Sequence, residues 1–451
     1  MNHRERFESL RDKLAGRLNT QKISNWEIYY GSSSRLGISA EDGEVEEDYS
    51  FSAPYGVSLR VIVDGGIGFS FATRPDDDAL DRMVADSLAG ARNTTPDERY
   101  RFADPQASIP NVGPLTDETL EDAPLSEKIE RALAIERAAL AVGPKVKRVR
   151  GARYGEVRAT MFLANSSGVD TGYEKTVVSA QTMAMAGDGD DQEMGWDAEF
   201  ALTAAEVDPE RVGRRAGEQA VSHLGAKKAP TCSCTALFTP QAAVDILEVL
   251  SSSFLGESVM KGKSMLAGKL ETRVFSELVT IVDDGLLPNG VATAPVDGEG
   301  VPTNTLELIS KGVLNLFLYD LDSAARAGVA PTGSAARGGV TAPPVSGIRN
   351  FFIKPGDTGR DALISNMGTG VIVTDLMGVH TADPVTGEFS VGASGFLVEN
   401  GKRSTPFKEA AVAGDLMTLF SRVAAVGSDL RFYGGVGSPS FVVEGLDVSG
   451  E

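Results

Sequence analysis

The sequence predicts an α+β protein. An N-terminal α+β domain with duplicated helix-and-hairpin halves leads into a C-terminal domain that is mainly β, barrel-like or a sandwich. Three observations carry this. The chain has 451 residues, too many for one ordinary core, so two domains are expected. Its 50 glycines favour strands and turns over a helical bundle. Finally, a helix–strands–helix pattern occurs twice in the first half, whereas short strands dominate from Thr231 onward.

The first half is read element by element. Phe7, Leu10, Leu14 and Leu18 have helical spacing and predict a helix over 3–18. Alternating runs at 26–30, 36–40, 44–51, 56–63 and 67–71 read as strands, with Asp42-Gly43 and Asp64-Gly65 as hairpin turns. A helix over 75–91 follows, and Asp76, Asp77 and Asp78 suit its N-terminus. The Pro- and Asp-rich stretch 94–126 reads as a long surface connection. The pattern then recurs: a helix at 126–141, strands at 146–154, 157–163 and 174–186, and a helix at 203–224. Element order, not sequence identity, suggests that residues 1–226 form one domain of two related halves.

The second half, 227–451, opens with a strand at 234–238 and a helix at 240–254. Short strands follow, punctuated by Asp284-Gly285, Asp297-Gly298, Lys311-Gly312 and Asn400-Gly401, with helices near 319–327 and 414–423.

Charge and composition exclude several functions. Forty-three basic against 63 acidic residues give a net charge of −20. That repels phosphate backbones and anionic membrane surfaces, so neither nucleic acid nor membrane is an expected partner. The N-terminus reads as a charged helix without an apolar signal core, and no run approaches the roughly 20 apolar residues of a membrane helix. The two cysteines, Cys232 and Cys234, share one face of a strand and are expected to stay reduced. A cytoplasmic location is expected.

Catalytic signatures are scarce. A zinc peptidase needs imidazoles one helical turn apart and a carboxylate to activate water. The only histidines are His3, His223 and His380, all far apart. The helix at 240–254 offers Glu248, which cannot hold a metal unaided, so no metal and no cofactor are expected. There is no Gly-x-Ser-x-Gly elbow. The segment 256–264 only approximates a phosphate loop and follows a helix rather than a strand. His223 falls at a helix end and is expected to cap carbonyls there. Asp188-Gly189-Asp190-Asp191 lacks the ligand spacing of a calcium loop and reads as a solvated turn. His380, in a polar loop before the hairpin at 387–402, is the best lone candidate for a functional imidazole.

Several separated segments resemble one family. They are Tyr55-Gly56-Val57-Ser58-Leu59-Arg60 with Asp64-Gly65-Gly66-Ile67-Gly68-Phe69, Asn165-Ser166-Ser167-Gly168, and Asp297-Gly298-Glu299-Gly300. Gly387-Glu388-Phe389-Ser390-Val391-Gly392-Ala393-Ser394-Gly395-Phe396 and Gly437-Ser438-Pro439 complete the set. Together they resemble the TldD/PmbA peptidases of bacteria and archaea. The resemblance implies a complex that degrades unfolded peptides, in which a TldD-type subunit carries zinc and a PmbA (TldE) type does not. In the TldD branch the zinc histidines lie on the helix that residues 240–254 form here, and a cysteine ligand precedes the C-terminal Gly-x-Pro. Neither appears in this chain, which therefore resembles the PmbA type. The implied partners are a TldD-like zinc peptidase subunit or a second copy of this chain, with unfolded peptides as ligands. His380, Gly392 and Ser394 are the expected peptide- or partner-facing residues. Two rival readings stand beside this one: a self-sufficient homodimeric hydrolase with an unrecognised site, and a peptide-binding module without catalysis.

Overall fold

A computed structural model describes residues 2–48 and 55–450. The first half forms one antiparallel sheet. Its strands run in the spatial order Gly66–Ala72, Tyr55–Val63, Trp26–Glu41, Val146–Asn165, Asp170–Asp188 and Asp191–Ala201, with Glu44–Asp48 paired beside the end of Trp26–Glu41. The expected strands 26–30 and 36–40 are thus one strand of 16 residues, and 146–154 and 157–163 are one of 20. The reason lies in packing. Ile28 and Tyr30 join the core under the helices His3–Thr20 and Asp77–Asn93, while Leu36, Ile38 and Ala40 join the core under Leu125–Leu140 and Pro209–Ser222. Val146–Asn165 does the reverse, sending Phe162 and Ala164 into the first core and Val149 and Tyr154 into the second. Each long strand serves both halves, and the polar run at Ser32, Ser33 and Ser34 is the crossing point, not a break.

The duplicated order is otherwise as expected, with some shifted bounds. The helix expected over 203–224 begins at Pro209, because Asp208 caps it and proline suits the first turn. The strand Asp191–Ala201 was missed, and the expected strand at 44–51 extends beyond the described residues after Asp48. The connection 94–126 is not a loose surface loop. Phe102, Ala103, Leu115 and Leu120 are buried along it, and the Asn165 side chain donates to the Ala103 carbonyl at 2.8 Å.

In the second half, Cys232–Phe238, Gly370–Met377, Glu388–Glu399, Lys402–Asp415 and Phe441–Ser449 pair in turn. The last returns to both Cys232–Phe238 and Lys402–Asp415, so the five strands close into a barrel. A second sheet runs in the order Val313–Leu314, Thr305–Ser310, Ile281–Asp284, Asn350–Ile353, Val436–Ser438, Arg431–Tyr433. The helix Pro240–Ser251 lies between barrel and sheet, burying Ala243, Ile246, Leu247 and Leu250 in their common core. A one-turn 3-10 helix, Ser252–Phe254, continues it.

The Asn400-Gly401 and Lys311-Gly312 turns have positive φ at both residues, as tight hairpins of this kind require. Asp284-Gly285 and Asp297-Gly298 are not such turns. Asp297 instead accepts the backbone N–H groups of Glu299, Val301 and Ala335, which holds residues 296–303 in a buried loop. The expected helices at 319–327 and 414–423 shorten to Leu321–Ala327 and Leu416–Ser421, and Gly256–Met260 and Arg360–Met367 are additional. Gly256–Met260 is ordered helix, not the flexible connection or phosphate loop that its composition allows. No helix among the described residues is long and apolar enough to cross a membrane.

The two halves are joined by a buried ion network. Arg60 donates to both oxygens of Glu27 at 2.8 and 2.7 Å and to Glu299 at 3.0 Å, and Arg337 also donates to Glu27. Glu299 accepts the N–H of Leu321 at 2.8 Å as well. Burial alone would lift the Glu27 carboxyl, but the two guanidiniums outweigh it and leave it below the usual range. For Glu299 burial wins, pushing it up to about 7.

Candidate functional site

A cleft with a volume of about 1030 Å³ lies where the edge strand Asp191–Ala201 and helix Pro209–Ser222 meet the second half. From the second half come the start of helix Pro240–Ser251, Thr374, Phe396 and the stretch Asp429–Tyr433. The two segments that the sequence resemblance assigns to metal ligands therefore border one cavity: the helix packs against strands Arg431–Tyr433 and Val436–Ser438.

One hydrogen-bonded chain crosses its floor. Gln219 accepts the Trp196 N–H at 3.0 Å and donates its amide to the Asp375 carboxylate at 3.0 Å. Gln241, in the first turn of its helix, donates to the same carboxylate at 2.8 Å. Asp375 reaches this position through a register shift between Val373 and Asp375, a bulge that re-aims the side chain. Burial lifts its carboxyl above the ordinary range despite these donors. Asp245, one turn along the helix, is pushed up to about 7 by burial, with Glu248 and Asp375 adding like charge.

The wall is aromatic and ionic. Arg431 donates to Asp197 at 2.6 Å and to the Ala198 carbonyl at 3.0 Å, and its guanidinium lies 4.7 Å from the Tyr433 ring. Trp196 packs at 5.5 Å from Tyr433, and Arg403 covers Phe396 at 4.4 Å. Arg211 grips Glu199 through two bonds of 2.5 and 2.7 Å. The strand Asp191–Ala201 pairs on one side only, but the Trp196 N–H and Ala198 carbonyl on its free side are already taken by Gln219 and Arg431. The site thus offers amide, guanidinium and aromatic faces with carboxylates held in place. It suits an extended polar chain better than a small apolar ligand.

His223 is the C-cap of helix Pro209–Ser222, as its position in the sequence suggests. Its Nδ1 lies 2.8 Å from the Gln219 carbonyl, which can only accept, so that nitrogen carries the proton. Its Nε2 is 3.0 Å from the Thr374 hydroxyl at the cleft. His380 is exposed on the short 3-10 turn Val379–Thr381 and is not among the residues lining the cleft. Gly392 and Ser394 are part-buried on strand Glu388–Glu399, which is paired on both sides. The Ser394 carbonyl accepts from Thr374, so it touches the back of the cleft through that residue. Sequence reasoning missed Asp375, Gln219 and Gln241. The polar pair Thr374-Asp375 inside the apolar run Gly370–Met377 was the available signal. The acidic run at 188–191 is a hairpin turn in which Asp191 accepts from the Gly225 N–H and from Lys408.

Family models match nearly the whole chain: PmbA/TldA metallopeptidase domain 1 over residues 26–91, the central domain over 118–224 and the C-terminal domain over 231–450. An uncharacterized Methanocaldococcus jannaschii protein is 30% identical over 90% of this chain and 92% of its own. The chain belongs to the PmbA/TldD family. The Escherichia coli O157:H7 metalloprotease PmbA is 26% identical, covering 95% of this chain and 93% of that protein. Among solved structures, a candidate modulator of a DNA gyrase from Thermotoga maritima superposes with a TM-score of 0.90 at 26% identity, covering 98% of this chain and all of that one. TldE from Thermococcus kodakarensis shares the fold, with a TM-score of 0.88 at 21% identity over 96% of this chain and 98% of its own.

A family of metallopeptidases implies a metal, and the residues at this cleft do not fit one. Among the described residues no group of three or more His, Cys, Asp or Glu could hold a metal ion. Gln241 turns its amide nitrogen, a donor, toward Asp375. The 428–437 segment brings Asp429, Arg431 and Tyr433 to the cavity but no thiol. Neither helix Pro240–Ser251 nor residues 428–437 supply imidazole or thiolate, the donors that zinc prefers, and the His223 imidazole at the cleft is bonded through both nitrogens, to the Gln219 carbonyl and the Thr374 hydroxyl.

Proposed function

We propose that this protein is the non-catalytic, PmbA/TldE-type subunit of a two-subunit peptidase that degrades unfolded peptides, its partner being a zinc-bearing TldD-type homologue. The observation that supports this most directly is the Gln219–Asp375–Gln241 chain. At the junction of helix Pro240–Ser251 with residues 429–433, protein donors occupy a buried carboxylate where metal chemistry would need imidazoles and an open water position. The cleft then serves to receive extended peptide and to shape the partner's chamber. On this reading the exposed His380 belongs to the partner-facing surface, and Gly392 and Ser394 border the peptide path through Thr374.

The test is reconstitution. Purified protein incubated with zinc is assayed for bound metal and for cleavage of an unfolded peptide, alone and with a homologue carrying the zinc motif. The expected result is no stoichiometric zinc and no cleavage alone, with a stable one-to-one complex and cleavage in the mixture. Stoichiometric zinc with cleavage by this chain alone overturns the reading and favours a self-sufficient hydrolase. Peptide binding without complex formation favours a lone binding module.

A further inference from the structure

A second cavity, of about 480 Å³, borders the internal ion network and shares Arg337 with it. Its floor is the sheet around Tyr29 and Lys175, and its wall is the segment from Ala335 to Val340 with Arg349. Among the described residues, every charged residue lining it is basic: Arg35, Lys175, Arg337 and Arg349. In a chain with 63 acidic and 43 basic residues, such a one-sided lining runs against composition.

The nearby carboxylates are committed elsewhere. Glu27 is held by Arg60 and Arg337, and Asp297 by three backbone N–H groups. Asp283 accepts the Arg349 N–H at 2.6 Å. The Arg337 side chain is only 2% exposed; it donates through Nε to the Gly298 carbonyl at 2.6 Å and through Nη2 to Glu27, and its plane lies over Tyr29. Among the described residues, its third nitrogen, Nη1, is buried with no hydrogen-bond partner. An unpartnered guanidinium N–H is costly to bury, so this wall of the cavity carries positive charge that its protein neighbours satisfy only in part. Arg349 places Nη2 on the Ala335 carbonyl, and Lys175 Nζ reaches only the Val291 carbonyl. Burial, then the charge of Arg349, pull Lys175 down to about 7. An anion in the cavity would restore its proton.

We propose that this cavity is a binding site for a small molecule bearing an oxyanion, carboxylate or phosphate, held by Arg337, Arg349 and Lys175 with Arg35 at the mouth. Charged guanidinium and ammonium donors match carboxylate and phosphate oxygens alike, with the N–H groups not already bonded to protein acceptors left for the ligand. The Tyr29 and Tyr173 rings and Val340 give the rest of the ligand an apolar bed. The volume suits a ligand of a few to a dozen heavy atoms. The inference does not rest on the peptidase-subunit reading, since neither the cleft nor the partner enters it.

The whole protein is titrated calorimetrically with inorganic phosphate and, separately, with succinate, each against sodium chloride at matched ionic strength. The expected result is saturable one-site binding of at least one anion. Lys175→Met weakens it about tenfold or more, Arg35→Gln weakens it severalfold, and Lys263→Gln, an exposed cation elsewhere, leaves it unchanged. Phosphate alone or succinate alone binding identifies the oxyanion class and supports the site. No saturable binding of either overturns the proposal, as does wild-type affinity in Arg35→Gln and Lys175→Met together. Arg35 is exposed, so its variant reports on the site even where Lys175→Met does not fold.

Discussion

Replacing Arg60 with Met tests the ion network that joins the two halves. Arg60 makes three charge-assisted bonds, two to Glu27 and one to Glu299, and its guanidinium also lies 5.3 Å from the Phe102 ring. Methionine keeps much of the volume but removes the charge. Glu27 then retains Arg337, while Glu299 retains only the Leu321 N–H. Breaking one partner out of a buried ion pair costs about 3–5 kcal/mol. The pH dependence sharpens this. Glu299 has a folded pKa of about 7, above the usual carboxylate value, so folding takes up a proton between the unfolded pKa and 7, and stability falls as pH rises through that window. In the variant the opposing guanidinium is gone, so the folded carboxyl moves further up and the fall in stability extends to higher pH than in the wild type. The expected cost is therefore about 3 kcal/mol at pH 6 and larger at pH 8, read from urea denaturation followed by circular dichroism. A loss below about 1 kcal/mol, or an equal loss at both pH values, refutes the reasoning.

Two further outcomes follow from close contacts. Gly68→Ala places a Cβ 1.8 Å from the Ser87 carbonyl oxygen, so helix Asp77–Asn93 must retreat from the sheet. Thermal denaturation is expected to show a loss of about 3 kcal/mol, and an unchanged midpoint sinks the claim. Cys234, whose thiol is pushed up to about 12 by burial and then by its hydrogen bond with Cys232, Sγ to Sγ 3.0 Å, carries very little thiolate at pH 8. Peptide mapping is expected to show iodoacetamide alkylation at least about a hundredfold slower than for a free thiol, whereas rapid labelling of Cys234 contradicts the buried geometry.

The sequence revealed which elements exist better than how far they extend. The helix at His3–Thr20 was readable because Phe7, Leu10, Leu14 and Leu18 face one core. The long strands were not, because Ser32, Ser33 and Ser34 look like a break until the second helix-and-hairpin unit of residues 1–226 supplies the partner strand from Arg158 to Thr160. Asp191–Ala201 was hidden by its acidic residues, two of which hold arginines at the cleft: Glu199 holds Arg211 and Asp197 holds Arg431. Arg360–Met367 was hidden by burying only Leu363. The cleft was harder still, since Gln219, Gln241 and Asp375 are far apart in the chain and none has a motif around it. A lone loop histidine drew notice because imidazoles are chemically versatile. A glutamine amide draws none until its neighbours are known.

That last contrast bears on how the cleft holds its buried carboxylate. A buried carboxylate such as Asp375 cannot be left without donors, for an unsatisfied buried charge costs far more than a surface one. A cation is one solution; two side-chain amides are another, and they are the one found here. The exchange also changes what the cavity can do. Amides in fixed bonds neither activate water nor polarise a carbonyl as a Lewis acid would, but they tie helix Pro240–Ser251, helix Pro209–Ser222 and strand Gly370–Met377 into one frame around the cleft. Removing either donor, by Gln219→Leu or Gln241→Leu, should therefore loosen that frame rather than expose a latent active site. On the proposed reading, such a frame is what a peptide-receiving, partner-shaping subunit requires.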